Sequence, residues 1–143
     1  MEIGLDVRIV YQDNDVIELR VYGSNGKYCG TTEAYVGIGE LEEAALKIKG
    51  FPTGPADTRE IVFGSFGSSS AGGGVRLRFY CIDASVHARA RVEIEVHSDQ
   101  TGDVETVSFL LPIEAAGVDS FVAELGRINI GQQAAYLKGS LRE

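Results

Sequence analysis

The chain has 143 residues, 44% of them hydrophobic and 24% charged, which is the composition of an ordinary soluble protein and enough length for one domain with its own core. Its 13 basic and 21 acidic residues give a formal net charge of −8, which argues against binding nucleic acid through a broad basic surface. No stretch approaches the roughly 18 continuous apolar residues of a membrane-spanning helix. We therefore expect neither a nucleic-acid partner nor a membrane partner.

The first part of the chain alternates apolar and polar residues, which is the pattern of half-buried strands. Two strong strands are predicted over residues 2–11 and 17–22, and a weaker one over residues 28–36. Asn and Asp residues form the first turn, and Asn25-Gly26, a strong signal for a tight hairpin, forms the second. These strands are expected to pair antiparallel.

A change of period at Glu40 predicts a helix. Acidic residues lie in its first turn and lysines in its last, which matches the helix dipole. Gly50 is expected to cap the helix and Pro52 to prevent its continuation. The apolar face, at i, i+3, i+4 and i+7, consists of Leu41, Ala44, Ala45 and Ile48.

A short strand is predicted over residues 61–63, followed by the Gly/Ser-rich residues 64–74. A phosphate-binding loop would need glycines that lead into a helix, usually with a lysine that reaches the phosphates. This loop leads into a strand and contains no lysine. It is therefore predicted to be a flexible connector.

The most regular pattern in the chain is a long β-hairpin over residues 75–97, in which two runs of strict alternation meet at a polar turn. One face of this hairpin is apolar. The opposite face carries two glutamates, two histidines and the four arginines Arg76, Arg78, Arg89 and Arg91.

The hairpin is followed by a predicted strand over residues 104–111 and by a second helix, which Pro112 is expected to open and Gly126 to cap. Residues 128–143 are compatible with a short strand or a turn of helix. The apolar positions of the second helix are Val118, Phe121, Val122 and Leu125.

The order strand, strand, strand, helix thus occurs twice, in residues 2–50 and in residues 75–126, as an internal pseudo-repeat joined through residues 64–74. We predict a single domain of residues 1–143 with an α+β fold, in which two βββα-like units form antiparallel sheets. Both amphipathic helices are expected to pack on an apolar sheet face. The pattern leaves open whether the sheets form a sandwich or a partly closed barrel.

The arginine face of the hairpin has two interpretations, which depend on strand register. In one register, both arginines of the first strand face arginines of the second. In the register shifted by two residues, Arg78 faces Arg91. Arg76 then faces Glu93, which relieves one of the two unfavourable pairs. Either neighbouring glutamates neutralise the arginines in a salt ladder, which is the preferred interpretation, or the face binds an anion or an acidic partner.

His87 lies on the same face and completes the set of candidate residues for anion or partner binding. His97 is ten residues further on, about 33 Å along an extended strand, so the two histidines cannot share a metal ion. Zinc sites need three or four converging ligands, and no third ligand is identified. Both histidines are expected to face solvent, and no metal or cofactor is predicted.

The sequence contains no catalytic motif that would support an enzyme. No serine lies in a nucleophile elbow, and neither cysteine has a neighbour that would activate its thiol. Cys29 and Cys81 are each in a strand-like run, and residues 1–7 do not predict a signal peptide. Reduced, structural cysteines in a cytoplasmic protein are therefore expected, with a disulfide as the alternative if their strands are neighbours.

Several features resemble the small β-rich immunity proteins of the WapI-type family, which are encoded beside bacterial polymorphic toxins. They are the Asn25-Gly26 turn with Gly30 after it, the helix that runs into Gly50-Phe51-Pro52, and the hairpin with Asp83, His87 and RVEIE. The resemblance implies a non-enzymatic protein that binds and blocks a toxin, often a basic nuclease. The acidic net charge would then steer association, although the arginine face departs from such a surface.

Two functions from different classes follow from the sequence. The first is a small binding protein, immunity-like, that acts through a protein interface on a partner such as a basic toxin domain. The second is an anion-binding or small-molecule-binding module that uses the arginine face. A homodimer is also expected, because a long hairpin with an exposed edge often pairs across a two-fold axis.

Overall fold

The computed structural model describes residues 2–67, 72–98, 100–128 and 132–140. These residues form two antiparallel four-stranded sheets and two helices, which confirms the predicted α+β class; no closed barrel is present among them. No helix in these ranges is long and apolar enough to cross a membrane. In chain order, the elements are β1 (Gly4–Gln12), β2 (Val16–Ser24), β3 (Cys29–Gly37), α1 (Glu40–Ile48), β4 (Arg59–Gly64), β5 (Gly74–Cys81), β6 (Ala88–His97), β7 (Val104–Ile113), α2 (Ala115–Arg127) and β8 (Ala134–Lys138).

The two sheets exchange strands. The first sheet has the order β3-β2-β1-β8, and the second has the order β4-β5-β6-β7. Each half of the chain runs strand, strand, strand, helix, strand, and the last strand of each half pairs with the first strand of the other half. Each sheet therefore contains three strands from one half and a fourth strand from the other.

A single apolar cluster lies between the inner faces of the sheets and the helices. The ring of Phe51, just after α1, meets the ring of Phe79 in β5 edge to face at 5.7 Å between centroids. Full burial of such a side chain contributes roughly 1.5–3 kcal/mol. The largest fully buried side chains are Phe51, Phe63, Phe79, Phe121, Leu5, Ile17, Leu19, Leu41, Ile48, Ile61, Leu77 and Leu111.

Both helices form, and α1 and α2 contact each other. The predicted faces are buried except at Val122 of α2, which is only partly buried. Gly50 follows the end of α1 in a left-handed conformation, with φ 79°. Two boundary predictions for α2 were wrong. Pro112 lies in the edge strand β7, where its missing N–H is tolerated, and α2 begins after it. Gly126 lies within α2, which continues to the buried core residue Ile128.

Two glycines of α2 differ in the space around them. A Cβ at Gly126 would have no atom within 4 Å, whereas a Cβ at Gly117 would lie 3.3 Å from the Lys138 carbonyl oxygen in β8. We expect Gly126→Ala to raise the free energy of unfolding by about 0.5–1 kcal/mol, because alanine loses less backbone entropy on folding. Gly117→Ala is expected to be neutral or destabilising, since β8 must shift. Urea denaturation measures both, and equal gains would contradict the packing of α2 on β8.

Residues 64–74 are the predicted flexible connector. Residues 68–71 lie outside the described ranges, and Ser65 and Gly67 are exposed, whereas Gly73 is buried. The Gly73 backbone N–H donates to the Glu33 carbonyl oxygen of β3 at 2.7 Å, and the Gly73 carbonyl oxygen accepts from the Ser65 N–H at 3.1 Å. The end of the connector at Gly73 is therefore bonded both to β3 of the first sheet and to Ser65, which follows β4.

Both cysteines are free thiols, so the alternative disulfide is not formed. Cys29 is exposed on β3, and Cys81 is half-buried at the end of β5. Burial raises the pKa of the Cys81 thiol, and the nearby Asp57 and Asp83 carboxylates raise it further. Such a thiol is a poor nucleophile.

Candidate binding site

The hairpin strands β5 and β6 pair in the shifted register, with Arg78 opposite Arg91 and Arg76 opposite Glu93. They occupy the two central positions of the second sheet, between β4 and β7. The expectation of an exposed hairpin edge was therefore wrong, because each strand already has a neighbour on both sides. The homodimer stays a prediction, but that edge does not support it.

Arg76 belongs to an ion-pair ladder. Its guanidinium nitrogens lie 3.4 Å from a Glu93 carboxylate oxygen and 4.0 Å from one of Glu60. The guanidinium also lies over the Phe66 ring, 4.5 Å from its centroid. Arg78 is exposed next to this ladder, opposite Glu60 on β4, and forms no ion pair within the described residues. Arg76 therefore matches the salt-ladder interpretation, whereas Arg78 does not.

Arg89 and Arg91 have a different environment, since both line a groove of about 510 Å³ on the outer side of β6 and β7. Arg91 donates a long hydrogen bond to the Ser108 hydroxyl at 3.5 Å. Within the described ranges, neither arginine is paired with a carboxylate. We call this the basic groove; its main lining residues are Lys27, Tyr28, Arg89, Arg91, Ser108 and Leu110.

The rim of the basic groove is set by the turn between β2 and β3. The Asn25 side-chain oxygen accepts from the backbone N–H groups of Lys27 and Tyr28 at 2.9 and 2.8 Å. The Asn25 side-chain nitrogen donates to the Leu110 carbonyl oxygen at 3.0 Å, which ties the turn to the edge of β7. The strong hairpin signal in the sequence thus also positions a lysine and an exposed tyrosine beside the two arginines.

A second groove, of about 460 Å³, adjoins the first at the turn between β5 and β6; we call it the turn groove. His87 lies here, exposed as expected, with its Nδ1 2.7 Å from Asp83 Oδ2. The hydrogen bond from His87 holds the pKa of the Asp83 carboxyl below its usual range. The residues that line both grooves are Arg89, Pro112 and Ser140.

The structure therefore divides the five predicted site residues into two groups. Arg89, Arg91 and His87 line the two adjoining grooves. Arg76 and Arg78 line neither groove, although Arg78 is directly opposite Arg91 in the sheet. Sequence reasoning missed Lys27 and Tyr28. Their only signal was their position after Asn25-Gly26, and nothing local indicated that this turn would contact β7.

His97 is not solvent-facing, and that prediction was wrong. Its side chain is 4% exposed, and its Nε2 lies 2.6 Å from Oε1 of Glu95, whose side chain is 11% exposed. The same Glu95 oxygen accepts from the Gly67 backbone N–H at 2.6 Å. That bond and the bond with His97 lower the pKa of Glu95. Gly67, which follows β4, thus bonds to the same carboxylate as His97.

In the residues that the structure describes, no three His, Cys, Asp or Glu side chains converge as metal ligands. Comparison of the chain with protein-family models, with curated proteins and with solved structures found no match. Residues that carry the resemblance to immunity proteins have clear roles in the fold: Asn25 builds a turn, Phe51 is buried, and Asp83 bonds within the hairpin turn. The two grooves are consequently the features of this chain that bear on its function.

Proposed function

We propose that this chain is a non-enzymatic binding protein that takes an acidic segment of a protein partner in the basic groove. One observation carries the proposal: Arg89 and Arg91 both line this groove, and within the described residues neither has a carboxylate partner. Guanidinium groups bind carboxylates through two parallel hydrogen bonds, so two such groups form a strong recognition element for acidic side chains.

The spacing of the two arginines fits a peptide better than a single small ion. Residues i and i+2 of a strand point to the same side and lie about 6.6 Å apart. An extended peptide with acidic side chains at alternate positions has the same spacing. The exposed Tyr28 ring at the rim adds the rigid aromatic contact that is typical of protein interfaces.

The resemblance to immunity proteins supports the same class of function, a protein interface. A basic toxin domain as partner would require an acidic contact surface, and the basic groove has the opposite charge. An acidic segment is thus the partner chemistry that this groove favours. A small anion would use the same arginines and is the competing outcome of the test.

The test measures fluorescence anisotropy of a labelled oligoglutamate peptide. We expect binding that weakens as salt increases, because the contacts are charged and partly exposed. Substitution of both Arg89 and Arg91 by alanine should weaken binding by about tenfold or more. The matched control is Arg20→Ala, an exposed arginine on the first sheet that pairs with Glu33 at 2.8 Å; this change should leave the affinity as it is.

Four results would overturn the proposal. One is an unchanged affinity in the double variant, and another is an equal loss in Arg20→Ala. The third is that an oligolysine peptide binds more tightly than oligoglutamate, since the net charge and not the groove would then direct binding. If inorganic phosphate binds as tightly as the peptide, the site is one for small anions.

A further inference from the structure

The two grooves are continuous in a way that restricts what their ligand can be. Arg89, Pro112 and Ser140 line both, so a segment bound along β6 in the basic groove continues directly into the turn groove. The lining changes along this path. Three cations, Lys27, Arg89 and Arg91, line the first groove. The second groove is lined by one cation, Arg89, by the carboxylates of Asp83 and Glu114, and by Pro112 and five aliphatic side chains, among them Ile82 and Val86.

The apolar character of the turn groove comes from side chains that remain accessible. Ile82 and Val86 expose 45% and 41% of their surface and lie on either side of the polar turn. Asp83 and His87 are bonded to each other at 2.7 Å, so their polar atoms are partly satisfied within the turn. An apolar ligand side chain could therefore cover Ile82 and Val86 while the Asp83–His87 bond stays intact.

The backbone at Val86 is strained. Its φ is 54°, in the left-handed region, where a β-branched residue is a genuine outlier and glycine or asparagine would be less costly. Such strain is concentrated at ligand sites, where a side chain is held in position at the expense of stability. Here the strained residue is one of the two accessible aliphatic residues of the turn groove.

We infer that the segment recognised by this protein carries a large apolar residue next to its acidic residues, and that this apolar side chain binds in the turn groove. The inference rests on the proposed function, because charge complementarity to Arg89 and Arg91 sets the position of the acidic part. The ligand is then a protein segment of mixed acidic and apolar chemistry, and not a polyanion of uniform charge.

The test compares labelled peptides that share the same oligoglutamate run and carry either a leucine or a serine next to it. Each of these residues is placed before the run in one peptide and after it in another, which gives four peptides. The leucine peptide should bind about tenfold more tightly in one of the two orders, because burial of the leucine side chain adds to the charged contacts. Arg91→Ala should weaken the binding of leucine and serine peptides by a similar factor. The ratio of the two affinities should therefore stay nearly unchanged.

Two variants of the turn groove make the prediction specific. Ile82→Ser should reduce the leucine-to-serine affinity ratio towards one. Val86→Asn should do the same and also raise the melting temperature, since it relieves the left-handed strain. A stabilised protein with weaker discrimination is a result that general damage to the fold would not produce.

The outcomes separate the two proposals. If oligoglutamate binds through Arg89 and Arg91 but leucine and serine peptides bind equally, this inference is wrong and the proposed function stands. An intact leucine preference in both Ile82→Ser and Val86→Asn would also overturn it. If no acidic peptide binds at all, the proposed function fails, and the inference fails with it.

Discussion

Replacement of Gly73 by alanine is expected to lower the free energy of unfolding by about 3 kcal/mol, at the upper end of the cost of overpacking. A Cβ at this position would collide with the Thr32 hydroxyl oxygen and with the Glu95 carbonyl oxygen. Neither atom is free to move, because the Thr32 hydroxyl donates to that carbonyl at 2.8 Å. The Gly73 backbone is itself bonded to Glu33 and Ser65.

Thermal and urea denaturation measure this effect, which corresponds to about 10 °C in melting temperature for a domain of this size. The matched control is Gly54→Ala, where a Cβ would meet no atom within 4 Å, and a change below about 0.5 kcal/mol is expected. Adding Thr32→Ala to Gly73→Ala should recover only part of the loss, because the Glu95 carbonyl remains in place. Unchanged stability in Gly73→Ala would show that the connector does not pass between β3 and β6 as described.

Asp57→Asn should be the second most damaging change, at about 2 kcal/mol. The Asp57 carboxylate accepts two hydrogen bonds from Arg59, both at 2.8 Å, and two from Thr53 at 2.9 and 3.0 Å. Arg59 also donates to the carbonyl oxygens of Lys47 and Lys49 at the end of α1. The side chains of Asp57 and Arg59 are only 11% and 22% exposed, so their interaction is weakly screened.

The effect of Asp57→Asn should depend on pH. The hydrogen bonds from Arg59 hold the pKa of Asp57 well below its usual range in the folded protein. A carboxyl with a depressed folded pKa contributes stability above its unfolded pKa of about 3.9 and loses that contribution as pH falls towards the folded pKa. The difference in free energy of unfolding between wild type and variant should therefore be fully present at neutral pH and decrease below about pH 4.

A natural control exists in the first sheet, where Asp6 and Arg8 have the same spacing in sequence and form an exposed pair at 3.1 Å. Asp6→Asn should cost less than about 0.5 kcal/mol, because water and salt screen such pairs. Equal losses in Asp6→Asn and Asp57→Asn, measured by urea denaturation across pH, would contradict the role given to burial.

Local pattern was sufficient to predict most elements of this fold. Alternation located the hairpin strands, and i, i+3, i+4 spacing located both helices, because each period places apolar side chains on one face. Pro112 and Gly126 were placed wrongly because their local preferences were outweighed by tertiary context. Pro112 lies in an edge strand, and α2 includes Gly126 and is followed directly by the buried Ile128. No local pattern indicated that β4 would pair in the second sheet and β8 in the first, because alternation does not specify which strand a given strand pairs with.

Local pattern predicted only part of the candidate site. Arg89, Arg91 and His87 share a face of one hairpin, which alternation shows directly. Lys27 belongs to the site only through the bond between Asn25 and Leu110, which are 85 residues apart in sequence. Glu95, which bonds His97, also accepts from Gly67, 28 residues away in sequence, and alternation gives no sign of that contact.

The exchange of β4 and β8 also determines how the protein must assemble. Pairing of β1 with β8 brings residues 4–8 against residues 134–138, so the first sheet remains three-stranded until the last described strand has been synthesised. The loop that this pairing closes is long, and the pairing of β1 with β8 is therefore expected to form slowly. Until residues 134–138 have been synthesised, β1 therefore has an unpaired edge, and during this period association between nascent chains competes with folding.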